Sequence, residues 1–392
     1  MVWGGGSSAP ARARERDGAE VVVWPGTDPS ALVRSGVPVR PVEAFLGDAG
    51  LAAAEAAART WTRVWGRLPL LEGKSFRDLA TWREMSLLWL AEGFIRGETA
   101  GPRCAKLVEI SLRLLEATRA SEVDVAGLAA SDTVLLARAC TTSGVLFHGK
   151  TPRARPLRPA TPARRGRLRA LERVLAPDTP PPLPSPLGET GPADSTPLLV
   201  LSSPGADAGV LRPLVEAAAG ELSLPVVVVP VSDLVRWRTR RVVAQAAEAA
   251  RLLRELWRRL RNAPGVLDSY RHRDVGFSDL AGDDLEQILL AHLPQAVLRL
   301  ESAIELFGSA PPPAAVVLAV GSRDERRTLL AACAVVQLPA IVIHTKPVGP
   351  EEQERADGGP RADATFVWEP GSDTAPVLAR LREVARARVE PE

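Results

Sequence analysis

The sequence predicts an α/β protein built from two parallel-sheet units, and three observations carry that expectation. Short runs of Val, Ile and Leu are apolar at nearly every position, as strands covered on both faces require. Longer segments between them space apolar residues three and four apart, the mark of amphipathic helices. A Pro-rich break between Thr151 and Pro197 divides the chain, and the same order of elements can be read on each side of it. At 392 residues there is room for two or three domains.

Residues 1–18, with Gly4-Gly5-Gly6 and a cluster of arginines and acids, are expected to be disordered. The first domain, residues 19–150, opens with a strand at Glu20–Trp24 and a turn at Pro25-Gly26-Thr27-Asp28. A short strand at Gly36–Arg40 leads to an Ala-rich helix from Ala49 to Trp65. An aromatic and polar segment follows, from Lys74-Ser75-Phe76-Arg77-Asp78-Leu79 through Trp82-Arg83. Next come a helix from Cys104 to Thr118, a strand at Val123–Leu128, another helix, and a strand from Gly144 that ends in His148-Gly149-Lys150.

Residues 151–196 read as an Arg- and Pro-rich linker containing Pro180-Pro181-Pro182, with a short helix at Arg164–Leu175. Having no apolar period to bury, it is expected to be dispensable for the folding of either half. The second domain, residues 197–392, opens with Pro197–Leu201 and the turn Ser202-Ser203-Pro204-Gly205. A strand at Leu224–Val229 and a long helix at Val235–Leu260 precede a segment from Tyr270-Arg271-His272-Arg273 through Phe277–Leu280. A helix at Leu293–Phe307, a strand at Ala315–Val320, a helix, and a strand at Pro339–Lys346 complete the parallel, the last again ending in His-x-Lys. A strand at Ala364–Trp368 and a helix at Thr374–Ala387 follow. The doubled order makes two Rossmann-like parallel-sheet units related by duplication the expected architecture.

The 49 Lys and Arg residues nearly balance 47 Asp and Glu, leaving a net charge of +2. No global field calls for nucleic acid, and the arginine-rich run Arg153–Arg173 lacks the interleaved aromatics that stack on bases, so no nucleic-acid partner is expected. Cys104, Cys140 and Cys333 form no C-x-x-C pair and sit in apolar helical patterns, against both a disulfide framework and a zinc site. His148, His272, His292 and His344 share no ligand spacing, and neither a metal nor another cofactor is expected. The N-terminus lacks an apolar signal segment, and no uncharged apolar run reaches the ~18 residues of a membrane span. The expected location is cytoplasmic, without a transmembrane segment and with peripheral membrane association left open.

In open parallel sheets ligands bind beyond the carboxyl ends of strands, where helix N-termini and backbone N–H groups favour anions. In the second domain that rule selects Ser202, Ser203, Gly205 and Asp207, then Ser232, Asp233 and Arg236, then Gly321, Ser322, Arg323 and Asp324, then His344 and Lys346. Gly321-Ser322-Arg323-Asp324 also reads as a strand-to-helix turn capped by Ser322 or Asp324. In the first domain the rule selects Gly26, Thr27, Asp28, Ser131, Asp132, His148 and Lys150. Ser202-Ser203-Pro204-Gly205 carries neither the G-x-G-x-x-G fingerprint nor a Walker lysine, and no G-x-S-x-G elbow occurs, so no complete catalytic signature is present. Trp61, Trp65, Trp82, Trp89, Trp237 and Trp257 lie largely in helical patterns and read as packing residues.

The stretch from Glu72 to Glu92, with Trp82-Arg83-Glu84-Met85-Ser86-Leu87-Leu88-Trp89 at its centre, resembles a segment of bacterial GT-B-type surface-carbohydrate glycosyltransferases. In that family a Trp- or Tyr-Arg-Gly-x-Ser-Leu-Trp motif precedes a long helix, and Glu84 stands where its glycine is expected. Arg361-Ala362-Asp363-Ala364-Thr365-Phe366-Val367-Trp368 is similar to the Ala-Asp-x-x-x-Val-Trp strand of the same proteins. Their Gln-His-Gly is replaced by Ile343-His344-Thr345-Lys346, so only His344 carries over, as a catalytic candidate near the reacting sugar. The resemblance implies a GT-B-like arrangement and a nucleotide-sugar-dependent glycosyltransferase of surface polysaccharide biosynthesis. A nucleotide-sugar or related anionic ligand would lie in the interdomain cleft. A complete member continues past the Val-Trp strand with a nucleotide-sugar-binding half. Unless the second domain serves as that half, the alternative is a non-catalytic GT-B-like binding or scaffold protein.

Overall fold

The computed structural model describes residues 2–3, 21–34, 38–153, 196–203, 206–222, 224–309, 312–344, 359–368 and 372–389. Nearly all of the 151–196 segment lies outside the described residues.

In chain order the first half contains β1 (Val2–Trp3), β2 (Val21–Val23), α1 (Ser30–Arg34), β3 (Val39–Pro41) and α2 (Val42–Trp65). Gly47 interrupts α2 with φ 60°, and the Ala-rich stretch beyond it has high intrinsic helix propensity. A hairpin of β4 (Pro69–Leu71) and β5 (Lys74–Ser75) leads to α3 (Phe76–Leu79), which starts in a capping box between Ser75 and Asp78. A second hairpin, β6 (Thr81–Trp82) and β7 (Met85–Ser86), precedes α4 (Leu88–Glu98) and α5 (Ala100–Thr118). The half closes with β8 (Glu122–Ala126), α6 (Ala130–Thr142) and β9 (Leu146–His148).

The second half runs β10 (Leu198–Ser202), α7 (Ala206–Glu221), β11 (Val226–Pro230), a 3-10 turn at Val231–Arg236, and α8 (Arg240–Leu260). After α9 (Pro264–Ser269) a hairpin of β12 (Arg271–His272) and β13 (Val275–Gly276) leads to α10 (Asp284–Gln287) and a π-helical turn at Ile288–His292. The rest is α11 (Leu293–Phe307), β14 (Ala315–Ala319), α12 (Arg323–Val335), β15 (Ala340–His344), β16 (Ala364–Val367) and α13 (Ala375–Val389).

The result is a mixed α/β architecture with two five-stranded parallel sheets, ordered β3-β2-β1-β8-β9 and β11-β10-β14-β15-β16. In the second sheet Leu198, Val200, Ala315, Val317, Ala319, Ile341 and Ile343 form one core with α7 and α13. The alternate residues Leu199, Leu201, Val316 and Leu318 are equally buried on the opposite face, which explains why these strands are apolar throughout.

Two details of the expected repeat change. The strand next to the order reversal in the first sheet is β1, from the N-terminal segment expected to be disordered, so β2 occupies the position of β11 rather than that of β10. The two His-x-Lys endings are also not equivalent. Val145 N–H donates to the Cys140 carbonyl and Leu338 N–H to that of Cys333, which aligns the two helix ends. Counting on from them, His148 matches Ile341, and His344 lies further along its strand.

The chain forms two compact units that cut across the expected domains. The first comprises Met1–Ala80, Phe94–Thr161 and Leu256–Ile288; the second comprises Thr81–Gly93, Pro162–Glu255 and Leu289–Glu392. Each half of the chain therefore donates one internal segment to the unit formed mainly by the other, whereas the sequence division assigned 19–150 and 197–392 to separate domains.

Within the first unit, Tyr270 and Phe277 of the donated segment join Trp61, Trp65 and Phe76 in an aromatic core, with ring centroids 5.7 Å apart for Trp61 and Tyr270 and 5.4 Å for Trp65 and Phe76. Trp65 Nε1 donates to Ser269 Oγ at 3.1 Å. Within the second unit the donated β6–β7 hairpin turns through Arg83 (φ 47°) and Glu84 (φ 62°), both left-handed. Such a two-residue turn favours glycine, which supplies a physical reason for the glycine that the resemblance expected. Glu84→Gly should stabilise the protein by up to about 1 kcal/mol, read as a raised midpoint of chemical unfolding; a lower midpoint would contradict the assigned turn.

Candidate functional site

In the second sheet β10 leads to β11 on one side and β14 returns on the other, so the strand order reverses between β10 and β14. Ser202 and Ser203 end β10, and Gly321 and Ser322 follow β14 at that point. Ser203 N–H donates to the Ala319 carbonyl at 3.2 Å, and Ser203 Oγ accepts the Gly321 N–H at 3.1 Å. These two bonds join the turns into one strand-end surface. Ser322, in extended conformation, caps α12 by accepting the Glu325 N–H, and Arg323 begins the helix. The structure thus brings Ser202, Ser203, Gly321, Ser322 and Arg323 together; Gly205 and Lys346 lie outside the described residues.

His344 ends the next strand, β15, and is tied to the same helix. Arg326 Nη1 donates to His344 Nδ1 at 2.8 Å. A guanidinium only donates, so Nδ1 is an acceptor and the neutral ring carries its proton on Nε2. Arg326, which the sequence offers beside Arg323 as a phosphate contact of the Gly321–Arg327 turn, is buried and held against His344. Its only signal was its position on the first turn of a helix beginning at a strand end.

The donated segment 81–93 packs against the start of α12 and engages Arg327. Arg327 is buried and donates to the Trp89 carbonyl at 3.2 Å and to Glu92 Oε2 at 2.8 Å, with its guanidinium over the Trp89 ring. Asp324 Oδ1 and Trp89 Nε1 are buried without a hydrogen-bond partner among the described residues. A Cβ at Gly93 would clash with Asp324 Oδ1, so α4 approaches this carboxylate only because residue 93 is glycine. His292 contacts the Leu90 carbonyl through Nε2 at 3.1 Å, and burial pushes its imidazole below the usual histidine range.

The candidates of the first unit are spent locally. Asp28 accepts the Ser30 N–H and hydroxyl, which hold its carboxyl below the usual range. Asp132 accepts from Trp24 Nε1 at 3.0 Å and from Ser131 Oγ at 2.8 Å. Gly26 takes φ 76° in the turn where Thr27 N–H donates to the Trp24 carbonyl. His148 faces Glu122 at 3.1 Å on the surface, and Lys150 is exposed.

Cys104, Cys140 and Cys333 are all buried, and burial pushes every one of their thiols up, that of Cys140 to about 11, so none offers a thiolate nucleophile. Among the described residues no cluster of His, Cys, Asp and Glu could hold a metal ion, and no helix is long and apolar enough to cross a membrane. No family model, curated protein or solved structure matches the chain.

Proposed function

We propose that the chain is a glycosyltransferase-like protein of surface polysaccharide biosynthesis, built from two Rossmann-like units related by duplication, and that its second unit binds a nucleotide-sugar or a related anionic ligand. The observation that carries this reading is the joined pair of turns at the order reversal of the second sheet. Ligands of open α/β sheets bind at that crevice, and the N-terminus of α12 gives it a positive partial charge. The order β11-β10-β14-β15-β16 matches one of the common doubly wound orders, which supports a ligand site at the reversal. The two motifs that resemble the glycosyltransferase family have structural roles consistent with it. Asp363 Oδ2 accepts the Ala340 N–H at 2.8 Å and Trp368 N–H donates to the His344 carbonyl at 2.7 Å, fastening β16 beside β15.

A second reading, a binding protein without catalysis, is favoured by His344. With Nδ1 accepting from Arg326 the neutral ring carries its proton on Nε2 and is unsuited to taking a proton from an acceptor hydroxyl. Titration calorimetry against UDP-, GDP-, CDP- and TDP-sugars tests both readings. One of them should bind, and Arg323→Ala should weaken that binding roughly tenfold or more, as loss of a hydrogen bond to a charged group does. Lys150→Ala should leave it unchanged. Binding with slow hydrolysis or sugar transfer supports the enzyme, binding without either supports the second reading, and no binding by any of the four removes the donor-site argument.

A further inference from the structure

The segments exchanged between the halves carry a repeated device. The β6–β7 and β12–β13 hairpins share a sequence pattern, Trp82-Arg83-Glu84 against His272-Arg273-Asp274, and the same left-handed backbone at both central residues, with Arg273 at φ 43° and Asp274 at φ 66°. Each hairpin delivers an N–H donor and an arginine to one glutamate. Trp82 Nε1 and Arg83 Nε both donate to Glu301 Oε1 at 2.7 Å, and Arg83 Nη2 donates to Oε2 at 2.8 Å. His272 Nε2 lies 2.9 Å from Glu109 Oε2 and Arg273 Nε 3.1 Å from the same oxygen.

Glu109 on α5 and Glu301 on α11 stand at the same distance from the helix prolines Pro102 and Pro294, and both side chains are 3% exposed. The hairpin that reaches Glu109 belongs to the second half of the chain, and the one that reaches Glu301 belongs to the first. A buried carboxylate without its cations is costly. Every hydrogen bond to Glu301 comes from the opposite half, whereas Glu109 adds Arg113 of its own helix to the two partners that the opposite half supplies.

A second pair of contacts runs the same way. Arg138 of the first half donates to the Gly276 carbonyl at 2.7 Å and forks onto Asp279; Arg327 of the second half holds the Trp89 carbonyl and Glu92. In each, one guanidinium joins a carboxylate and a main-chain carbonyl of the segment contributed by the opposite half.

We propose that the two halves of the chain are obligate partners of one another, each completing the other's unit through its hairpin, so that a chain cut between them remains one non-covalent assembly. The partner that each glutamate-bearing helix recognises is a left-handed two-residue turn carrying an N–H donor followed by arginine. This stands independently of any nucleotide-sugar activity.

The test uses the full chain with a protease site, flanked by Gly-Ser spacers, inserted between residues 176 and 195 and cleaved after purification. Complete cleavage is verified on a denaturing gel. The two fragments should co-elute at the mass of the intact chain, and their unfolding midpoint should become dependent on protein concentration. Arg83→Glu should weaken the association of the cut chain at least about tenfold, and adding Glu301→Arg should restore most of it. Fragments of the cut chain that separate as two folded species, or that pair like with like into larger assemblies, would overturn the proposal, as would an Arg83→Glu chain that associates as tightly as the parent.

Discussion

Replacing Arg83 by alanine is expected to destabilise the second unit by about 1.5 to 3 kcal/mol, the range for hydrogen bonds to a charged group, because Glu301 is buried although Arg83 itself keeps part of its surface in water. Glu301 is almost fully buried and takes two of its three side-chain hydrogen bonds from this guanidinium. The bond to Glu301 holds Arg83 charged above its ordinary range, and what would remain is the single indole N–H of Trp82. Arg83→Lys should recover only part of the loss, because an ammonium cannot fork onto both oxygens. The equivalent change in the first unit gives an internal control. Arg273 is nearly half exposed, and Glu109 keeps Arg113 and His272, so Arg273→Ala should cost only about 1 kcal/mol. Denaturant-dependent hydrogen exchange along α11 and α5 reads each unit separately. An Arg83→Ala loss no larger than that of Arg273→Ala would remove the buried pair as an important contributor.

Asp284→Ala should cost about 2 to 4 kcal/mol in the first unit, because it orphans two buried backbone donors at the start of a long helix. Its Oδ1 accepts the Ala100 N–H at 2.9 Å and its Oδ2 the Gly101 N–H at 2.8 Å, which cap α5. Burial pushes the Asp284 carboxyl up to about 7, against the opposing pull of those two N–H groups. Because the folded value lies above the unfolded one, the folded state holds the proton more tightly. The associated stability is fully present below about pH 4 and is lost as pH rises through about 7. Protection of the first α5 amides should therefore fall between pH 5 and pH 8 in the parent protein. Asp284→Asn, which cannot titrate, should start from lower protection and show no such slope. Glu109 works in the opposite sense at lower pH. Burial alone would raise its carboxyl, but the bonds from His272 and Arg113 and the charge of Arg273 together hold it below the usual range, so its contribution disappears on acidification. A parent protein with flat protection from pH 5 to pH 8 would mean that Asp284 does not carry the proton assigned to it.

Local chemistry made much of this protein readable in advance. Val and Leu runs such as Leu198–Ser202 and Ala315–Ala319 are strands because both faces are buried, and α11 matches its expected span because its apolar spacing is uninterrupted. Ser322 caps α12 as its place before Asp324 and Glu325 suggested. The cap of α5 was not readable in this way. Thr99 occupies the capping position, but its hydroxyl donates to the Ile95 carbonyl, and the acceptor comes instead from Asp284 in the other half. The matching His-x-Lys endings misled for a related reason: two short strings coincided, and only the helix-end hydrogen bonds revealed that their positions differ.

The sequence by itself determined the long buried strands, most helices and the strand-end residues that meet at the order reversal, since each depends on neighbours within a few turns of chain, but neither β1 nor the hairpin strands. Tertiary structure decided which unit received each hairpin, which donor capped α5, and which nitrogen of His344 bears the proton. Glu109 and Glu301 look like any polar residue of an amphipathic helix until burial removes their water, and the hairpin arginines that help replace it, Arg273 and Arg83, lie more than 150 residues away along the chain.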